Sequence, residues 1–306
     1  METTVYVPDM ECDSCAKLIS RKLKNMEALK NYEFGPDYVK LVHERDVNPD
    51  KFVKLIRSLG FRASRDPFER KTLKERVRHF KEKQEHYVLE LKALEYFIYS
   101  FLLLSGLEIL GYLALIHKTN PNFFADYGVW LVYFNLSIAA NAAAVWHITA
   151  HKAKVTCMTG MMIGMTSGMQ TGMMVGAVFG ATNGFFVGSM VGMLLGSAVG
   201  AWMGKCCGIM GVMEGLMAGI MGGTMGPMIT VMMMSDHVLV FMPFFIILNL
   251  AVIGGLVYMM LEEVGEGPGV EKRPADLAIF LSSVVLVSSV LILIMVYGPK
   301  SALLSF

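Results

Sequence analysis

The chain has 306 residues, of which 54% are hydrophobic and 17% are charged, and its formal net charge is +1. Soluble domains are about one quarter charged, so this composition excludes an ordinary soluble protein and indicates a chain that lies largely in a lipid bilayer. The near-zero net charge gives no sign of a nucleic-acid partner. No nucleophile or acid–base set is recognisable, so an enzyme is not expected.

Residues 1–64 have the pattern of a small α+β domain. Short strands with alternating hydrophobic residues are separated by helical segments and by a Gly35-Pro36 turn signal. The predicted elements are strands near 3–8, 32–34, 38–43 and 61–64, a helix after the first strand, and a helix over 49–59. Their order, βαββαβ, is the ferredoxin-like pattern.

Two cysteines, Cys12 and Cys15, lie on the predicted loop that leads into the first helix. Free N–H groups and the helix dipole at such a position favour thiolates. Two thiolates at this spacing can hold a soft metal ion, but a thioredoxin-type redox pair has the same spacing. The pair alone therefore leaves both alternatives open.

The motif Met10-Glu11-Cys12-Asp13-Ser14-Cys15, the βαββαβ order and the closing Leu59-Gly60-Phe61 resemble the heavy-metal-associated domain of copper chaperones and metal-pumping P-type ATPases. The resemblance implies that Cys12 and Cys15 are the metal ligands, that Met10 is buried under the loop, and that Phe61 packs beneath the site.

Two residues depart from the pattern of copper-binding members of this family. Asp9 stands where glycine is usual, and Glu11 stands where threonine or serine is common. An acidic residue beside the first cysteine is similar to zinc- and lead-type members. Zn(II), Cd(II) and Hg(II) therefore stay open beside Cu(I).

Residues 65–93 are predicted to form an amphipathic stalk helix. Charged residues surround a seam of hydrophobic residues that alternates in steps of four and three and is interrupted at Gln84. The seam consists of Leu73, Val77, Phe80, Tyr87, Leu91 and Leu94. Such heptads pair helices, so we expect a homo-oligomer through residues 73–94. The alternatives are a stalk that pairs with nothing or one that packs on its own metal-binding domain.

Residues 94–306 are predicted to be an all-α transmembrane domain. Seven hydrophobic stretches approach the roughly 20 residues that a helix needs to cross a bilayer. They are residues 94–116, 128–149, 157–180, 185–204, 208–234, 238–261 and 277–298. Polar residues also occur within these stretches, and an ionisable group at such depth in a membrane is a functional candidate.

The positive-inside rule gives the predicted orientation. With the N-terminus in the cytoplasm, the inner loops hold Lys152, Lys154, Lys205, Lys272 and Arg273, and the outer segments hold only Lys118 and Lys300. Residues 1–20 also lack the pattern of a cleavable signal peptide. We therefore expect a multi-pass protein of the plasma membrane with a cytoplasmic N-terminus.

Glu108 and Glu214 fall inside predicted spans. Either residue is a candidate counter-charge or proton carrier; the alternatives are that Glu108 bonds a neighbouring helix and that Glu214 lies near the inner interface. The polar residues expected to make hydrogen bonds between helices are Asn135, Asn141, Gln170 and Asn249.

Glycine recurs at every fourth position from Gly160 to Gly208, and the period resumes after a slip at Gly211, Gly215, Gly219 and Gly223. Small residues four apart let helix backbones approach closely within lipid. The pattern therefore predicts three helices packed almost backbone to backbone over residues 157–234.

Methionine follows the same period in two ladders. The first ladder is Met161, Met165, Met169 and Met173, and the second is Met213, Met217, Met221 and Met225. Rungs four residues apart rise by about 6 Å, and thioether sulfur prefers Cu(I) to hard ions. Two facing ladders would give a file of weak sites. Packing by flexible methionine is the alternative.

Further soft ligands are expected at the two ends of these helices. Cys157, Cys206 and Cys207 lie at the predicted inner end, and His237 follows the Met232 to Met234 run at the predicted outer end. Binding is therefore expected to strengthen inward, from thioethers to thiolates.

The pattern as a whole favours a transporter that takes up Cu(I) through the ladders and delivers it to Cys12 and Cys15. Ag(I) or a divalent soft metal is an alternative ion, and a cytosolic metallochaperone is a candidate partner. The competing functions are a metal store, sensor or scaffold without transport, and efflux that needs a coupling ion because no ATP-binding domain accompanies the spans.

Overall fold

The structure is a computed structural model. It describes residues 2–7, 10, 13–23, 29–35, 38–43, 50–59, 61, 63–66, 88–113, 123–152, 157–264, 271–272 and 276–300. The chain divides into two compact units, one within residues 1–84 and 154–156 and the other within residues 85–153 and 157–306. Residues 73, 77, 80 and 87 of the predicted heptad seam lie outside the described residues, so the stalk and its pairing stay predictions.

The first unit is a sheet covered by two helices. Its elements are β1 (Glu2–Tyr6), α1 (Asp13–Leu23), β2 (Leu29–Phe34), β3 (Tyr38–His43) and α2 (Asp50–Ser58). The three strands are antiparallel in the order β1-β3-β2. Alternation decides which face is buried: Val5 and its cross-strand partner Val39 are fully buried, whereas Glu2 is exposed.

The fourth predicted strand, residues 61–64, is reduced to one bridge. Tyr6 N–H donates to Ser64 O at 2.8 Å, and Ser64 N–H donates to Tyr6 O at 3.0 Å. Ser64 therefore extends the sheet beside β1, at the edge where a ferredoxin-like fold places its last strand. The described residues give a three-stranded sheet, not the four strands that were predicted.

The second unit consists mainly of long helices. They are α3 (Val88–Gly111), α4 (Phe123–Ala150), α5 (Cys157–Asn183), α6 (Phe185–Gly204), α7 (Gly208–Met233), α8 (Val238–Val264) and α9 (Leu277–Tyr297). The three at 185–204, 208–233 and 277–297 end within one residue of their predicted bounds. Helix α3 begins six residues before its predicted start, within residues assigned to the stalk.

Five stretches of the described residues are long and apolar enough to cross a membrane, which supports a membrane protein. They are Leu91–Gly111, Tyr127–Ala150, Phe185–Met233, Val238–Met260 and Leu277–Tyr297. The 49-residue stretch contains both α6 and α7. Helix α5 is absent from the five because its glycine, serine, threonine and Gln170 side chains lower its mean hydropathy. The predicted count of seven spans is therefore not confirmed.

Helices α5, α6 and α7 meet along their glycine stripes. A Cβ atom added to Gly168 of α5 would stand 2.9 Å from Gly200 Cα of α6 and 2.8 Å from Gly215 O of α7. The same close approach repeats one turn along, where a Cβ on Gly172 would stand 2.7 Å from Gly223 N. Backbone atoms therefore fill the centre of the three-helix group, which we call the glycine bundle. It consists of α5, α6 and α7.

Two glycines of the same period make the turns of the glycine bundle. Gly184 separates α5 from α6 with φ 98°, and Gly208, where α7 begins, has φ 70°. These are the positive-φ residues of the described chain, and a side chain at either would strain the backbone. The turns reverse the chain twice, so α6 runs antiparallel to its neighbours and α5 runs parallel to α7.

One end of the helical unit collects several of the basic segments. His151–Lys152 pairs with Glu271–Lys272 as a short antiparallel ribbon, and Gly160 near the start of α5 contacts the turn that holds Lys205. At the opposite end, the Lys300 ammonium donates to Thr182 O at 3.2 Å and lies 4.9 Å from the Tyr127 ring centre. Lys152, Lys205 and Lys272 thus share an end from which Lys300 is excluded.

Candidate metal sites

The first candidate site lies at the start of α1. The helix begins at Asp13, so Cys15 belongs to its first turn, where the positive end of the helix dipole favours a thiolate. Met10 and Phe61 are each 7% exposed and belong to the same core as Ile19. Their burial agrees with the roles that the family resemblance implies. Cys12, Asp9 and Glu11 lie outside the described residues.

The second candidate site is the cysteine pair in the turn between α6 and α7. The position that a Cβ atom would occupy on Gly160 lies 2.8 Å from Cys206 Sγ and closer still to Cys207 Sγ. The two sulfurs are therefore less than twice that distance apart. Two metal–sulfur bonds of about 2.3 Å span at most about 4.6 Å, so one soft ion can bridge the two sulfurs when they lie in the shorter part of this range. The side chain of Cys157 lies outside the described residues.

The absence of a side chain on Gly160 makes room for both sulfurs. We expect Gly160→Ala to weaken Cu(I) binding at this pair by about tenfold or more, because a ligand set that is displaced by its surroundings loses affinity on that scale. The measurement is a Cu(I) competition titration of full-length protein that carries Cys12→Ser and Cys15→Ser. Gly106→Ala, with nothing within 4 Å of the added Cβ, is the matched control and should leave the affinity unchanged.

The methionine ladders lie on two parallel helices at the same level. A Cβ on Gly222 of α7 would meet the backbone of Met169 on α5, and a Cβ on Gly226 would meet the backbone of Met173. Met221 and Met225, the rungs of the second ladder, precede these two glycines in sequence. Each step of four residues on α5 is thus matched by a step of four on α7.

The two ladders differ in exposure. Met161, Met169 and Met173 on α5 are half-buried and Met165 is 37% exposed, whereas the α7 rungs are 39% to 59% exposed. The α7 ladder therefore lies on the outer surface of the glycine bundle, beside its contact with α5. Within one chain the ladders flank a common seam, and the centre of the bundle is occupied by glycine backbone.

His237 lies at the end of the helical unit opposite to the cysteine pair, between α7 and α8. Its ring Nε2 is 3.8 Å from Asp236 Oδ1, and both side chains are exposed. Met232 is also exposed. A site for an arriving ion at this turn stays a prediction.

A buried polar cluster joins α4 to α5 beside the first ladder. Asn141 Nδ2 donates to Met174 Sδ at 3.5 Å, and the Thr171 hydroxyl donates to Asn141 Oδ1 at 3.1 Å. All three side chains are buried. The expectation that Asn141 bonds between helices is thus met, whereas Asn249 donates to Phe245 O within its own helix.

Sequence reasoning did not assign a role in the sites to two residues. Gly160 was read only as part of the packing period, although it is the position against which both cysteine sulfurs lie. Met174 belongs to neither ladder, and no sequence period identifies Asn141 as its partner. Within the described residues, no three His, Cys, Asp or Glu side chains are grouped so as to hold a metal ion.

Comparison with known proteins identifies one part of the chain. Residues 4–62 match the family described as the heavy-metal-associated domain. The match includes both cysteines of the Cys-x-x-Cys motif and indicates that this part of the chain binds a heavy metal. No curated protein and no solved structure matches the chain.

Proposed function

We propose that this chain, whose residues 4–62 are a heavy-metal-associated domain, is a membrane transporter of a soft metal ion, with Cu(I) as the cargo. The ion would enter near His237, pass along the two methionine ladders, reach Cys206 and Cys207, and then be bound by Cys12 and Cys15 in the cytoplasm. The proposal assigns the chain no catalytic reaction.

The observation that carries the proposal is the register of the ladders. Met169 and Met173 lie level with the backbone next to Met221 and Met225, on parallel helices. Rungs about 6 Å apart on both helices give an ion repeated equivalent positions. Weak, repeated sites allow an ion to be released as well as bound.

The cysteine pair supports the inward direction. Gly160, which lies against Cys206 and Cys207, directly precedes Met161, the first rung of the α5 ladder. Thiolate binds Cu(I) more tightly than thioether does. An ion that moves toward the basic end of the unit would therefore meet stronger ligands.

Storage without transport is the principal competing function. The exposed α7 ladder favours it to the extent that its thioethers lie on the outer surface rather than around a path within one chain. The two functions differ in metal flux across the membrane. A transporter in a vesicle raises the free metal inside, whereas a store binds several ions per chain and leaves the free metal inside unchanged.

Uptake of Cu(I) or Ag(I) into proteoliposomes tests the proposal. Replacing the four α5 rungs with leucine should reduce the initial rate to near that of empty vesicles. Leucine keeps the volume and apolar character of methionine, so such exchanges usually cost less than about 1.5 kcal/mol each. The same four-residue replacement on α7 should also reduce the rate.

The matched control replaces four methionines of the same unit that lie outside the ladders. These are Met242, Met259, Met260 and Met295, on α8 and α9. The control variant should transport at the rate of the unaltered protein. Uptake that persists after both ladders have been changed to leucine would contradict the proposal, as would an equal loss of uptake in the control.

A further inference from the structure

Glu108 lies within an apolar helix and has its carboxylate turned away from the outer surface. It belongs to α3, in the stretch Leu91–Gly111 that is long and apolar enough to cross a membrane. Its neighbours Leu107 and Leu110 are 44% and 64% exposed, whereas the Glu108 side chain reaches α4. An ionisable group in such a helix is costly and is by default a functional candidate.

Asn135 of α4 holds the carboxylate. It is 1% exposed, and its Nδ2 donates to Glu108 Oε2 at 2.8 Å and to Ser105 Oγ at 3.3 Å. A carboxamide nitrogen has two donors, so both donors of Asn135 are used. The side chain is thereby fixed between two groups of α3, one turn apart.

The cluster has more acceptors than donors. Glu108 Oε1 and Asn135 Oδ1 are both buried and have no hydrogen-bond partner among the described residues. An ionised carboxylate offers acceptors only, and the donors of the carboxamide are already used. A buried acceptor left without a donor destabilises the folded protein. What these two oxygens require is a hydrogen-bond donor, and a proton bound by the carboxylate supplies one.

We propose that Glu108 and Asn135 form a proton-binding site inside the helical unit, separate from the sulfur ligands. A proton on Glu108 Oε1 turns an acceptor into a donor and removes the net charge from the apolar stretch. The cargo ion is excluded on chemical grounds because soft ions prefer sulfur to these hard oxygens.

The number of ligands favours a proton over a hard metal ion. Oxygen-bound cations such as Ca²⁺ take about 6–8 oxygen ligands, whereas the contacts of this cluster involve the oxygens of Glu108, Asn135 and Ser105 alone. A proton needs only one of them. The site thus fits the smallest cation.

Among the described residues, no other charged side chain forms a hydrogen bond with Glu108 or Asn135. Helix α4 packs against α3 along the contact that holds Asn135, and α9 also touches α3. Besides Glu108, the titratable residues of these three helices and their ends whose side chains the structure describes are Lys92, Glu95, Tyr96, Tyr99, Tyr112, Tyr127, Tyr133, His147, Asp276, Tyr297 and Lys300. Of these residues, Tyr133 is nearest to Asn135 in sequence. The experiment below therefore measures protonation at Glu108 directly.

Coupling of this proton to metal movement rests on the proposed transport function, whereas proton binding does not. If the chain transports metal, protonation of Glu108 would change the net charge of α3 by one and so bias its packing on α4. The site would then be where a proton gradient acts on the transporter.

Labelling with dicyclohexylcarbodiimide tests proton binding without metal. This apolar reagent enters the apolar part of membrane proteins and reacts with the protonated carboxyl groups that it meets there, and mass spectrometry of full-length protein in vesicles locates the product. We expect Glu108 to be labelled at low pH and labelling to fall to background as the pH is raised. Sodium at constant pH should give no protection.

Two variants make the labelling decisive. Glu108→Gln should lose the product, and Glu214→Gln, which removes an exposed carboxylate of α7, should keep the labelling of Glu108 unchanged. Labelling that is absent at every pH, that does not vary with pH, or that sodium blocks would overturn the proposal.

A second measurement addresses coupling. A pH-sensitive dye inside proteoliposomes should report proton movement during metal uptake by the unaltered protein, and Glu108→Gln should abolish the signal while metal still moves. If Glu108→Gln takes up metal and gives the same dye signal as the unaltered protein, the proposed coupling is wrong. If no metal moves at all, the proposed function fails, and the labelling result still decides whether Glu108 binds a proton.

Discussion

Gly200→Ala is expected to lower the midpoint of thermal unfolding, Tm, of the purified protein by roughly 5–10 °C. The new Cβ would overlap Gly215 O and stand 3.0 Å from Gly168 Cα, so it meets backbone of both neighbouring helices. Backbone cannot turn aside as a flexible side chain does, and overpacking of this kind costs about 1–3 kcal/mol, sometimes more. For a unit of this size each kcal/mol corresponds to about 2–4 °C.

Gly254→Ala supplies the matched control. Gly254 lies in α8, and nothing lies within 4 Å of the position that its Cβ would take. Alanine is favoured over glycine in a helix by about 1 kcal/mol, so this variant should keep or raise Tm. Equal shifts in both variants would show that the close approach at Gly200 contributes nothing to stability.

Replacing Cys12 and Cys15 with serine should remove the tightest Cu(I) site of the full-length protein and reduce the bound metal by one ion per chain. Serine hydroxyl groups remain protonated and bind soft ions poorly. The replacement leaves the core that holds Met10 and Phe61 unchanged, so the domain should keep its fold. Titration against a chromophoric Cu(I) chelator measures both affinity and stoichiometry.

The control for this experiment is Cys206→Ser together with Cys207→Ser. That variant should keep the tightest site and lose only weaker binding, because its two sulfurs belong to the turn beside Gly160. A protein that retains its tightest Cu(I) site after Cys12 and Cys15 have been changed would disprove their assignment as the metal ligands.

Local patterns in the sequence predicted much of the architecture. The strand over 38–43 follows from alternation, and the helix at 185–204 follows from a hydrophobic run between two glycines of the four-residue period. The last strand was overestimated because a strand pattern over 61–64 does not reveal how many residues find a partner. Only Ser64 pairs with β1 in the described residues.

Long-range geometry was harder to predict. The two ladders share a spacing of four residues, but nothing in that spacing fixes the level at which Met169 and Met221 stand. The level is set by the turns, since Gly184 and Gly208 determine how far each helix runs before it reverses. Likewise, Asn135 was predicted to bond between helices, yet its partner Glu108 is identified only by the packing of α3 on α4.

The one-residue turn at Gly184 and the backbone contacts of the glycine bundle have a mechanical consequence. Helices joined this tightly, with backbone against backbone at successive glycines from Gly164 to Gly172, cannot slide or rotate past one another without breaking van der Waals contact along several turns. If the protein alternates between inward-open and outward-open states, α5, α6 and α7 must therefore move together as one rigid body. The hinge has to lie outside this rigid body. The side chains of α4 and α8 form contacts along which these helices can slide against it.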